Sequence, residues 1–128
     1  MGITGIGGLF FRAADPDALS LWYRTHLGIS AGCNTEGEGD PEDWWWRTAA
    51  GPTVFAPFRA TTDYFPADRQ WMVNLRVDGL DALLDRLRAA GIEIVTKAEW
   101  DSLETGRFAR IHDPEGNPIE LWEPPAGL

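Results

Sequence analysis

The stretch GRFARIHDPEGNPIELWEPP, residues 106–125, gathers Arg110, His112 and Glu120 around the turn residues DPEGN. A carboxylate and an imidazole are ordinary donors to a divalent cation, and the same pair can move protons as base and acid. A guanidinium beside them would orient an anion or neutralise the carboxylate. The segment also suits a plain hairpin that closes a sheet, because Asp113, Pro114, Gly116 and Asn117 each favour chain reversal through φ or a side-chain hydrogen bond. With the turn at 113–117, antiparallel pairing sets His112 opposite Pro118, Arg110 opposite Glu120 and Phe108 opposite Trp122. Alternation sends Ala109, Ile111, Ile119 and Leu121 to a helix-covered face, and Phe108, Arg110, His112, Glu120 and Trp122 to the opposite face. A buried carboxylate needs a metal or an ion pair, and Arg110 offers the pair. The stretch therefore reads as a closing hairpin whose neutralised carboxylate lends polar groups to a cavity.

Aromatic residues are the second chemical signal. Seven Trp and six Phe are many for 128 residues. Such side chains fill cores, and they also line pockets for flat ligands. In DWWWRT, residues 43–48, Trp44 and Trp46 share one face of a strand and Trp45 takes the other. Phe10, Phe55 and Trp71 are expected on the same wall, with Phe58 beside them and Trp100 in a rim loop. Asn74, between core positions Val73 and Leu75, is the polar pocket residue expected from its strand. Arg12 and Arg76 hold equivalent places and either orient an anionic or carbonyl group or pair with nearby carboxylates. His26 reads as a helix-end residue, favourable near the C-terminal dipole. Cys33 reads as a small buried side chain, and TEGEGDPED, residues 35–43, as a solvated loop.

The elements that must position these groups follow from an internal echo. Sliding the chain by 64 positions, half its length, aligns Arg12 with Arg76, Asp17 with Asp81, Ala18 with Ala82 and Leu19 with Leu83, the mark of a duplicated module. In each copy an alternating strand leads into a helix. Asp15 or Asp78 can cap it, Pro16 suits a first turn, and Gly28 or Gly91 ends it. Leu80, Leu83, Leu84 and Leu87 recur at helical spacing, as do Leu19, Trp22, Tyr23 and Leu27. Strand-like runs follow at about 29–35, 43–49 and 52–58, and again at 92–99, 106–112 and 117–123. Residues 59–70, RATTDYFPADRQ, read as the connector. The expectation is one α+β domain of two βαβββ modules, about 1–60 and 70–125, forming a curved mixed sheet around a central cleft.

Composition excludes several partners. A net charge of −9 argues against nucleic acid and anionic membranes, which attract Lys/Arg clusters. One cysteine allows no internal disulfide and fits a reducing, cytoplasmic setting. Neither a signal peptide nor a membrane-spanning run is apparent.

Taken together, FFRAADPDALSLWYRTHLGI, WMVNLRVDGLDALLDRLRAAGI and GRFARIHDPEGNPIELWEP resemble the vicinal oxygen chelate superfamily, which includes glyoxalase I, bleomycin-resistance proteins and extradiol dioxygenases. The likeness covers nearly the whole chain. It implies paired βαβββ modules, a concave cavity and a homodimer. It also implies metal ligands at positions that fall on Gly8, Met72 and Glu120. Glycine has no ligand atom and a thioether is a poor donor for hard or borderline divalent ions, so neither a metal nor another cofactor is expected. The function expected is a metal-free small-molecule-binding protein that sequesters an aromatic ligand in a Trp/Phe-lined cleft. The alternative is a metal-dependent glyoxalase-like lyase or isomerase, or a dioxygenase, using Glu120. No catalytic residue is assigned.

Overall fold

The computed structural model of the chain describes residues 1–29 and 45–128. Helix α1 spans Pro16–Leu27. The Asp15 carboxylate accepts the Ala18 N–H at 3.1 Å, Pro16 opens the first turn, and Gly28 at φ 67° takes the left-handed position that ends it. Strand β1, Val73–Arg76, leads through Gly79 at φ 79° into α2, Leu80–Ala89. Asp78 does not cap this helix. Its open N-terminus is served from a distance, by the Glu123 carboxylate accepting the Leu80 N–H at 2.6 Å. A 3-10 turn at Ala98–Trp100 precedes β2, Arg107–His112, and β3, Pro118–Glu123.

The sheet order is β1-β3-β2, with β1 parallel and β2 antiparallel to β3. The hairpin has the pairing that a turn at 113–117 requires: Phe108 opposite Trp122, Arg110 opposite Glu120, His112 opposite Pro118. Val95 and Arg110 exchange backbone hydrogen bonds of 2.9 and 2.8 Å and lengthen the β2 edge by one bridge. Ala109, Ile111, Ile119 and Leu121 are fully covered and form one core with Leu19 and Tyr23 of α1 and Leu80, Leu84 and Leu87 of α2. Both helices thus bury their apolar stripes in the same cluster, on one side of the sheet. The other side is left for the polar and aromatic side chains.

DPEGN ties the two ends of the chain together. Asp113 accepts from the Tyr23 hydroxyl at 2.7 Å, from the backbone N–H of Glu115 and Asn117 at 2.9 and 3.0 Å, and from the Asn117 amide at 2.8 Å. The Glu115 carboxylate accepts the N–H groups of Ala14 and Asp15 at 2.6 and 3.1 Å, just before α1 begins. The Arg69 guanidinium donates to the Glu115 carbonyl at 2.8 Å and the Asn117 side chain at 3.3 Å.

The α+β class is as expected. The paired-module arrangement is not seen among the described residues. Residues 1–12 and 45–58 form neither helix nor strand, and 92–99 supplies the Val95 bridge and the start of the 3-10 turn in place of a full strand. Most of the 29–35 strand and the start of the 43–49 strand lie outside the described residues. The reason is one of partners: alternating apolar residues become a strand only beside another strand, and β1 is an edge strand among the described residues, linked to the 45–58 segment by the Arg76 side chain, which donates to the Ala49 carbonyl at 2.8 Å.

Candidate functional site

The open face of the sheet carries Asn74 from β1, Arg110 from β2 and Glu120 from β3, because each lies one position off the core residues of its strand. Arg110 and Glu120 are buried, at 7% and 8% exposure. Register brings them face to face, yet the expected ion pair gives way to other contacts. Glu120 accepts from the Asn74 amide at 2.7 Å on one oxygen and from the Tyr64 hydroxyl at 2.5 Å on the other. The Arg110 guanidinium lies over the Tyr64 ring, 4.8 Å from its centre, and 5.8 Å from that of Trp100. Its Nε and Nη2 are buried without a hydrogen-bond partner. The neighbouring strand wins the carboxylate because Asn74 pairs with Glu120 across the parallel β1–β3 ladder.

Tyr64 is the residue the sequence reading missed. It sits in the connector, which looked like a polar link. Its ring packs against Phe58 at 5.6 Å and edge-on to Trp100 at 5.9 Å. Burial, then the hydrogen bond to Glu120, push its phenol up to about 12. Burial, then Asp113, raise the Tyr23 phenol well above the ordinary range. The one available signal was the apolar pair Tyr64–Phe65 inside an otherwise polar connector.

A cleft of about 480 Å³ runs beside this group, lined by Thr62–Ala67, Arg110 and His112. A smaller hollow of about 220 Å³ lies on the other side of His112, against Trp22, Ile92 and Val95. His112 is exposed between the two.

The remaining expected wall residues scatter. Phe108 and Trp122 stack in parallel with ring centres 6.2 Å apart, and the indole N–H of Trp122 donates to the Thr105 carbonyl at 2.7 Å. They flank the polar group on the same face. Trp71 packs edge-on to Phe11 at 5.2 Å. Phe10 and Phe55 are 95% and 90% exposed in the single chain, and Trp46 is also exposed, so these three line no cleft there. Trp44 lies outside the described residues, as do Cys33 and the acidic loop.

The metal positions implied by resemblance do not fit a metal. Both Glu120 oxygens are engaged by hydrogen-bond donors, and Gly8 brings no donor atom. Among the described residues no three His, Cys, Asp or Glu side chains cluster as a cation site. Among them, too, no helix is long and apolar enough to cross a membrane.

Comparison with known proteins gives the class of chain to which this fold and face belong. A family model described as a glyoxalase-like domain matches residues 8–122. The chain belongs to that family, within the vicinal oxygen chelate group that its end motif resembles. Among solved structures it is similar to TnmS3, an antibiotic binding protein from Streptomyces sp. CB03234, at 24% identity and a TM-score of 0.54, covering 97% of this chain and 98% of the other. At that identity the likeness speaks for the fold. No curated protein matches the sequence.

Proposed function

We propose that the chain binds a flat aromatic small molecule in the cleft between the open sheet face and the 59–70 connector, without a metal and without catalysing its turnover. The observation that carries this reading is the grouping of Arg110, Glu120 and Asn74 beneath the rings of Tyr64, Phe58 and Trp100. A few convergent polar groups fix a ligand's orientation, and aromatic faces supply the contact area. The antibiotic-binding role of TnmS3 lends support. The engagement of both Glu120 oxygens by Asn74 and Tyr64, with no donor set of three among the described residues, supports binding over the metal-dependent lyase or dioxygenase reading.

Homodimer formation belongs to the same proposal. Ile3, Phe10 and Phe55 lie on segments that have no strand neighbour in one chain, and a second copy would supply one, completing paired βαβββ modules. The lone cysteine supports a cytoplasmic setting.

The test combines elemental analysis with ligand titration. Protein purified without chelators is expected to hold well under one divalent ion per chain, and planar aromatic probes to quench Trp fluorescence on binding. A stoichiometric metal lost in Glu120→Ala would establish the enzyme-type site instead.

A further inference from the structure

The connector is fixed at both ends and has neither helix nor strand between them. Arg69 pins its far end to the DPEGN turn, and a turn closed by the Thr62 N–H on the Arg59 carbonyl sets its near end. Between them Tyr64 reaches down to the sheet. It is an aromatic ring with one hydroxyl, and it makes the contacts that an aromatic alcohol would make: a donated hydrogen bond to Glu120, and a ring face on Arg110 between Phe58 and Trp100. A side chain on an irregular segment is the part of such a site that moves at least cost, because no ladder has to break with it. Nor is it an ideal occupant. With Tyr64 in place, Nε and Nη2 of Arg110 stay buried and unpaired, a penalty that a different occupant can relieve.

We propose that Tyr64 is a built-in stand-in for the ligand: the site takes a hydroxyaromatic compound whose hydroxyl donates to Glu120 and whose ring lies on Arg110, and Tyr64 yields that place when the compound enters. This rests on the aromatic-binding reading and sharpens it. Glu120 is acceptor-only when ionised, so an aromatic ring without a donor leaves one of its oxygens unpaired once Tyr64 is displaced. Selectivity for the hydroxyl follows. So does competition between the ligand and the protein's own side chain.

Calorimetry with 2-naphthol and 2-methoxynaphthalene reads both consequences. Wild-type protein is expected to bind 2-naphthol about tenfold more tightly than the methyl ether, the discrimination that one buried hydrogen bond to a charged group supports. Tyr64→Ala vacates the place and is expected to tighten 2-naphthol binding about tenfold further. Tyr64→Phe keeps the ring and the fold but loses the hold on Glu120, and is expected to move the same way by less. In protein carrying 3-fluorotyrosine, the fluorine signal of Tyr64 should shift to that of an exposed ring as 2-naphthol is added, while that of Tyr23 stays. Equal binding of the two probes overturns the proposal, as does weaker binding by both Tyr64 variants, which would make Tyr64 a wall of the site. In either case planar-ligand binding itself survives. If neither probe binds wild type or either variant, the aromatic-binding reading fails and takes this proposal with it.

Discussion

The Tyr23 hydroxyl donates to Oδ2 of Asp113 at 2.7 Å, joining the middle of α1 to a turn 90 positions further along the chain. Both groups are buried. The same carboxylate holds the Glu115 and Asn117 N–H groups that shape the turn. Asp113→Ala therefore strands a buried hydroxyl and unties the hairpin end together. It is expected to cost about 3 kcal/mol in a urea titration, and Tyr23→Phe about 1–2 kcal/mol. A loss under about 0.5 kcal/mol for Asp113→Ala would mean that the turn holds its shape through its backbone alone.

Alkaline pH offers a second measurement. Both tyrosines of the chain donate to carboxylates, and both phenols lie above the free value of 10.0, Tyr64 at about 12 and Tyr23 further up. Between 10.0 and these raised values the folded chain keeps protons that the unfolded chain has lost, so raising the pH favours unfolding. Tyr64's contribution is whole below pH 10.0 and is lost as pH climbs through about 12, and Tyr23's is lost higher still. Native protein should show almost no tyrosinate absorbance at pH about 10, where denatured protein shows it at half strength. Matching titration curves for the two forms would remove Tyr64 and Tyr23 from their carboxylates.

Arg110→Met separates proximity from pairing. A buried ion pair that loses one partner typically costs about 3–5 kcal/mol. Here Glu120 keeps Asn74 and Tyr64, and two unpaired donors of Arg110 leave with the substitution. The expected change in stability is therefore under about 1 kcal/mol, nearly independent of pH. A large loss at neutral pH, recovered by adding Glu120→Gln, would restore the direct pair.

Oligomeric state is read by light scattering. The expected mass is about twice the 14.2 kDa of one chain. Joint replacement Phe10→Asp and Phe55→Asp should halve it, since both side chains stand in solvent in the single chain and touch the sheet core in neither case. A wild-type mass of one chain would leave these residues as plain surface.

The second half of the chain was legible because its signals are local. Turn residues at 113–117 fix the hairpin register, and the register fixes which of Arg110, Ile111, Ile119 and Glu120 is buried on which face. The leucine spacing of α2 places its core stripe in the same way. Partner choice was not local. Nothing within the hairpin tells Glu120 to prefer Asn74 and Tyr64 over Arg110, because those two arrive from a parallel neighbour and from an irregular connector. The first-half strands at 52–58 and near Phe10 were read from alternation, which records a tendency to pair and not whether a neighbour is present in the same chain.

The contact from Glu115 to Ala14 spans 101 positions. On the ribosome, α1 thus emerges long before the turn that secures its leading end exists. Until residues 113–117 have left the exit tunnel, Leu19 and Tyr23 have neither β2 nor β3 to cover them. The nascent helix must wait for that turn to emerge before its apolar stripe is covered by the sheet, so the first half of the fold is completed only by the second.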